Sequence, residues 1–396
     1  MPEHESENPV EKAAENQIPP LLPDWLSSRK KAELPNAAES SARIRAHPRW
    51  RTRWPVAALL VLLLIALIVA GIALYPHLTG PTLQQPQQPA TSSNAVRSFQ
   101  DFTVPTAASK PYDITRGPDG NLWFTEFDGN KIARITPSGV VTEYAVPTPG
   151  VGPYIIASGP DGNLWFTEYY SDKIGRVTPA GTITEFTLSD PNSSAAGIAA
   201  GPDGNLWVTA YPGEIYRVTP SGLMTMFWVP NTPTVPFAIT AGPDGNLWFS
   251  YDAEFTHLNT RNDNHIGRIT PSGTVSTFAL PTNGSNVDAI TAGPDGNLWF
   301  TDYANELIGS ISPSGTVHEY ANYTPYNSLN DITAGPDGGL WFTQQDGVIG
   351  RMTPAGAIAK FTVPTPSSQP DGIVAGPGKT IWFTEMGANR IGCITL

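Results

Sequence analysis

The residues of this sequence best suited to chemistry are carboxylates and aromatics that recur at fixed spacing, together with one histidine in an insertion. The stretch GPDGNLWFTE at Gly117–Glu126 is spelled identically at Gly159–Glu168 and returns as GPDGNLWFTD at Gly293–Asp302. Its closing carboxylate is therefore met at Glu126, Glu168, Asp302 and, in a more divergent copy, Glu385. Grouped with Asp288 and Asp371 around one opening, these side chains would form a partial acidic ring. Hard divalent cations such as Mg²⁺ or Ca²⁺ bind through several such oxygens. The competing reading is a set of solvated strand ends. Tyr112, Tyr154, Phe237 and Tyr251, with Tyr169 and Tyr170 beside them, supply rings on which a sugar, a flat small molecule or a peptide could stack. The same rings could simply pack between structural units. The insertion YDAEFTHLNTRNDNHIGR carries His257, which is either a base able to reach over such a site or an ordinary loop residue.

What would position these groups is a repeat. Trp123, Trp165, Trp207, Trp248, Trp299, Trp341 and Trp382 follow one another at steps of 42, 42, 41, 51, 42 and 41 residues, giving seven units with one insertion. Each unit holds four short apolar segments, in the second copy YIIAS, LWFTE, KIGRVTP and TITEFTL. GPDGN, rich in turn formers, joins the first pair, and Pro-Ala-Gly or Pro-Ser-Gly joins the last. Four antiparallel strands per unit, seven times over, predict an all-β, seven-bladed β-propeller with four-stranded blades. The seventh unit stops at IGCITL without a fourth strand, whereas SFQDFTVPT at 98–106 matches the fourth-strand segments. That orphan strand is expected to complete the last blade and close the ring over 97–396, removing an open edge. In this geometry the GPDGN turns lie on one face. The starts of the first strands, the ends of the second and the loops after them lie on the other, where function belongs. The seven tryptophans read as core packing between blades, and the arginines of IGRIT (Arg134, Arg176, Arg217, Arg268, Arg351) as structural.

Ahead of the repeat, PVAALLVLLLIALIVAGIALYP at 55–76 carries no charge and is long enough, at ~1.5 Å per residue, to span a bilayer core. Arg43, Arg45, Arg49, Arg51 and Arg53 crowd its N-terminal side, and the next cation is Arg97. The positive-inside bias predicts a single-pass anchor in the plasma membrane, with the N-terminus cytoplasmic and the propeller outside. Residues 1–54 read as a disordered cytoplasmic tail and 77–96 as a Pro/Gln/Ser-rich stalk. Charge is uneven: residues 1–96 sum to +1 and 97–396 to −13. So acidic a body repels phosphate backbones, which argues against nucleic acid as a partner. The single cysteine, Cys393, excludes an intrachain disulfide and a thiolate metal site.

With its units in the form P-x-x-I-x-x-GPDGNLWFTE followed by IGRITP-x-G-x-x-TEF, the sequence resembles the streptogramin B lyases (virginiamycin B lyases) throughout 97–396. The resemblance implies a seven-bladed propeller that opens a cyclic depsipeptide antibiotic by Mg²⁺-assisted elimination across its ester. It also implies a site: a histidine base in a Pro-His-Gly-Ile segment at the start of a first strand, a second histidine one blade away, a glutamate two residues before the base, and the glutamate closing W-F-T-E. The base position lies fourteen residues before the closing letter. It is occupied here by Tyr112, Tyr154, Ala196, Phe237, Asp288, Asn330 and Asp371. Two residues earlier stand Lys110, Gly152, Ser194, Val235, Asn286, Ser328 and Gln369. Neither histidine nor the preceding glutamate is matched, and only the closing carboxylate is retained. The expectation is a membrane-anchored propeller that binds a small molecule, glycan or cell-surface protein at its acidic, aromatic loop face. The alternative is a Mg-dependent lyase.

Overall fold

The structure, a computed structural model, describes residues 96–230, 234–253, 264–321 and 328–396. The expected tail, the anchor at 55–76, all but the last residue of the stalk, and His257 lie outside the described residues. The rest forms seven four-stranded antiparallel sheets. Blades 1 to 6 are consecutive meanders over 111–145, 153–187, 194–228, 234–279, 287–321 and 329–362. Blade 7 takes three strands from 370–395 and its fourth, Ser98–Thr103, from the other end of the propeller. That strand pairs antiparallel to Arg390–Thr395 from Ser98↔Thr395 to Thr103↔Arg390, so the ring closes as the orphan segment predicts.

The GPDGN turn does more than reverse the chain. In blade 1 the Asp119 carboxylate accepts from the Asn121 amide, the Asn121 side chain and the indole Nε1–H of Trp123 at 3.1 Å. The turn thus fixes the tryptophan as it forms. Gly120 sits at φ +80°, a region that L side chains rarely adopt. Gly117 lies so close to the indole that an added Cβ would stand 2.5 Å from Trp123 Cδ1.

Trp123 is fully buried, stacked on Tyr144 of its own blade at 5.6 Å and packed against Leu164 and Phe166 of the next. Arg134 lies over the same indole and donates to the carbonyl of Pro179 in the next blade's turn at 3.1 Å. Arg176, Arg217 and Arg268 repeat that reach onto Pro220, Pro271 and Pro313. Both residue types are therefore structural. At the closure, Trp382 stacks on Phe102 of the incoming strand at 5.5 Å.

A second link sets the wall of the central channel. In all seven blades the register between first and second strands slips by a bulge, in blade 1 between Pro111 and Ile114. The threonine of W-F-T fills the gap. Thr125 Oγ1 accepts from the Asp113 amide at 3.1 Å and donates to the Tyr154 carbonyl of the next blade at 2.8 Å. The same donation runs from Thr167 to Ala196, Thr209 to Phe237, Thr301 to Asn330 and Thr343 to Asp371. Thr384 closes the circle onto Tyr112 at 2.7 Å. In blade 4, Ser250 accepts from the Ala238 amide in the same way. Bulges re-aim side chains next to sites, and here every one falls at the channel wall.

The outer strands are latched as well. Glu143 accepts from the amide and hydroxyl of Thr106, both at 2.8 Å, and pairs with Lys131 at 2.6 Å. Glu185, Thr148 and Lys173 repeat the arrangement one blade on. The glutamates that close W-F-T-E stand behind these latches, fully enclosed. Burial, with the charge of Glu143, pushes the Glu126 carboxyl up to about 8. Burial alone dominates at Glu168 and Glu385, each raised to about 7.

These features yield two predictions. Thr384→Val keeps the side-chain shape but leaves the Gly372 amide and Tyr112 carbonyl without their shared partner. Buried groups stranded this way cost about 1–3 kcal/mol each. The melting temperature should drop by several degrees, whereas Thr184→Val on the exposed outer strand should leave it unchanged; equal effects would contradict the link. The second concerns pH. The three glutamates release protons near 4.5 when unfolded but only at about 7 to 8 when folded. The folded state holds the extra protons across that window, so stability falls as pH rises through it. Melting temperature should decline over the same range, and Glu126→Gln should flatten the slope. A wild-type profile without decline would refute the assignment.

Candidate functional site

The first strands of all seven blades enclose a cavity of about 160 Å³ on the propeller axis. Its wall has two sectors, and the bulges decide what enters each.

The aromatic sector comes from blades 1, 2 and 4. The hydroxyls of Tyr112 and Tyr154 lie 3.0 Å apart with ring centroids at 4.6 Å, and Phe237 meets Tyr154 edge-on at 6.1 Å. A second tier covers them on the loop side. Phe127 touches Tyr112 and Tyr154 at 6.0 Å, and Tyr169 touches Tyr154 at 5.0 Å. Tyr170, which is 55% exposed, packs against Phe127 at 5.5 Å and carries the rings out to the surface. Burial above all, joined by the charges of Asp288 and Asp371, raises the Tyr154 phenol well above its usual range, so it stays a neutral donor.

The acidic sector comes from blades 5, 6, 7 and 1, as Asp288, Asp331, Asp371 and Asp113. Asp113 accepts from the Ile114 amide at 2.8 Å and the Ile156 amide of blade 2 at 2.7 Å. Asp331 does the same with Ile332 at 2.7 Å and Ile373 of blade 7 at 2.8 Å. These amides favour the charged forms, but burial and the neighbouring aspartates oppose them. Asp113 is pushed well up by burial and by Asp331, and Asp331 is raised to about 7, chiefly by burial. Near neutrality the pair therefore keeps a proton. In blade 6, between Asp288 of blade 5 and Asp371 of blade 7, stands Asn330, 2% exposed, whose Nδ2 donates to the Pro370 carbonyl at 2.8 Å.

Of the residues singled out in the sequence, Tyr112, Tyr154, Phe237, Asp288 and Asp371 do meet at this wall. The expected acidic ring of closing carboxylates does not. Glu126, Glu168, Asp302 and Glu385 are buried inside their own blades, because the second strand is covered on both faces along its whole length. Asp302, for example, accepts from the Asn286, Ala304 and Asn305 amides of its own loops. Tyr251 is likewise off the wall. It is stacked on His265 at 5.3 Å and packed in the core of blade 4. Sequence reasoning missed Asp113, Asp331 and Phe127. A signal existed for the aspartates, since PYDIT and LNDIT carry Asp where the other first strands have Ile155, Gly197, Ala238, Ala289 and Gly372.

The magnesium implied by the resemblance finds no matching donor set. Among the described residues, no three His, Cys, Asp or Glu side chains are grouped so as to hold a metal ion. Nor does any histidine, lysine or arginine line the cavity among those residues.

Comparison with known proteins places this geometry. The model of the virginiamycin B lyase family matches residues 93–255 and 252–396. A virginiamycin B lyase of Saccharopolyspora erythraea is 46% identical over 46 residues, which are 12% of this chain and 15% of that relative's length. The solved virginiamycin B lyase of Staphylococcus aureus superposes with a TM-score of 0.70 at 37% identity, over 76% of this chain and 99% of that one. A catalytically inactive form of the same enzyme, solved with quinupristin, gives 0.69 at the same identity and coverage. The chain belongs to the virginiamycin B lyase family.

Proposed function

We propose that this member of the family binds a small molecule in the channel cavity rather than opening a depsipeptide ring, and that it does so on the outer side of a membrane in which residues 55–76 anchor it. The observation that carries this reading is the occupancy of the base position. The resemblance calls for a histidine there, and this chain sets tyrosines, phenylalanine, alanine, asparagine and aspartates in its place. Of these only the aspartates could accept a proton, and the resemblance places an imidazole, not a carboxylate, at the base. A volume near 160 Å³ is of the order of a cavity that holds benzene, far below the size of a cyclic depsipeptide. The exposed Tyr170 and the rings beneath it offer a larger ligand, whether a glycan or a protein segment, a platform from which one compact group could enter.

The lyase reading is favoured by one fact, the 37% identity to a virginiamycin B lyase. Incubating the full-length chain in detergent micelles with a type B streptogramin and Mg²⁺, and following ring opening by mass spectrometry, decides between the two. No linear product above the protein-free control is expected. Product that disappears in His257→Ala would overturn the binding reading. That reading also predicts that some benzene-sized compound raises the melting temperature at millimolar concentration, because a ligand of the native state alone must stabilise it. The shift should shrink in Phe237→Ala.

A further inference from the structure

We propose that the propeller pairs with a second copy of itself along the outer strand of blade 3, Met224–Trp228, the two strands running antiparallel about a twofold axis at Met226. The pairing does not depend on what the channel cavity holds.

Three observations on this edge lead there. First, it is apolar where the other outer edges are not. Trp228 is 50% exposed, and its column carries Ala145, Thr187, Ala279, Ala321, Thr362 and Thr103 in the other blades. Leu223, just before the strand, is exposed as well. Met224, Met226 and Trp228 alternate with Thr225 and Phe227, so they share one face of the sheet. Second, the strand carries no charge. The column of Met226 holds Glu143, Glu185, Thr277, Glu319, Lys360 and Asp101 elsewhere in the ring. Charged side chains are a common means of blunting an edge, and this edge lacks them. Third, the phase of its hydrogen bonds fits a partner. Val229 donates its amide to the Gly213 carbonyl, and the Leu223 carbonyl accepts from Thr219, both at 2.9 Å. Leu223, Thr225, Phe227 and Val229 therefore bond inward, and Met224, Met226 and Trp228 turn their amides and carbonyls outward.

Together they select a second copy as the occupant. With the axis at Met226, the outward-bonding residues meet as Met224 with the partner's Trp228, Met226 with the partner's Met226, and Trp228 with the partner's Met224. Each pair exchanges both of its backbone hydrogen bonds and sets two apolar side chains directly opposite one another on one face. The same axis on blades 1, 2, 5, 6 or 7 would set Glu143, Glu185, Glu319, Lys360 or Asp101 against its like, which is destabilising. On blade 4 it would join Thr277 to its counterpart and Val275 to Ala279, side chains with far less apolar area than methionine and tryptophan. Residues 97–396 carry a net charge of −13, so two copies repel at most approaches. Residues 218–243 are the longest run of that body without a charged side chain, and the edge of blade 3 lies within it. A contact of this kind uses the same patch on both copies and closes at two.

The test uses the full-length chain in detergent micelles. Light scattering after size exclusion should give two copies per particle for the wild type. Cross-linking then locates the contact, with the native Cys393 buried and out of reach. Residues directly opposite in such a pair lie about 5.5 Å apart at Cα, within the roughly 4.4–6.8 Å that a disulfide spans. Under a mild copper oxidant Met226→Cys should form a covalent dimer, and Thr277→Cys, at the same column of blade 4, should do so severalfold more slowly. Encounters driven by the membrane-spanning run would favour neither position. Adding Trp228→Ala to Met226→Cys should slow cross-linking severalfold; alanine already fills that column in blades 1, 4 and 5, so the blade still folds. A monomeric wild type, equal cross-linking at the two positions, or a rate untouched by Trp228→Ala would overturn the proposal.

Discussion

The interaction on which the rest of this structure depends is the hydroxyl two residues after each blade's tryptophan, threonine in six blades and Ser250 in blade 4. Each threonine accepts one amide from its own first strand and donates to one carbonyl of the neighbouring blade, at 2.6–3.0 Å where the ring closes and in the blade before it. A bulge in a sheet strands a backbone pair, and a stranded buried pair is costly. The hydroxyl absorbs that cost and turns the bulge into a joint between blades. Because the joint is made at the residue where the resemblance expects a catalytic base, the same contact fixes both the circumference of the ring and the position from which the cavity wall is built.

Everything outside that joint is frame. Indoles held by turn aspartates fill the space between blades, arginines clasp the next turn, and threonine–glutamate–lysine latches secure the outer strands. The frame is indifferent to what the base position carries, so histidine can give way to tyrosine, phenylalanine or aspartate without altering the fold. Function on such a scaffold resides in the site and must be argued from it. The site here is divided: rings on one side, four carboxyls on the other. Such a wall offers a ligand both ring faces and carboxyls, and among the described residues it holds no imidazole.

The frame was legible in the sequence because each of its parts recurs in a fixed column. The tryptophan spacing counts the blades, the turns separate the strands, and the orphan segment at 98–106 reveals the closure. Tyr112, Tyr154, Phe237, Asp288 and Asp371 could be placed because they fall in the column of the lyase base. The direction of the closing carboxylates was not legible. Alternation along a strand distinguishes inside from outside only when one face is wet, and LWFTE is buried at every residue. Asp113 and Asp331 escaped notice because the bulge brings a second residue of each first strand to the wall, and pairing arithmetic without the bulge turns that residue away. Tyr251 failed for the opposite reason: its ring is held by His265 within the blade.

The measurement that tests the account most directly is a crystal structure of the chain with a benzene-sized aromatic compound. The account predicts the compound in the channel cavity, its ring against Tyr154 and Phe237. A channel without ligand, or a compound held only at Tyr170 on the outer loops, would contradict it.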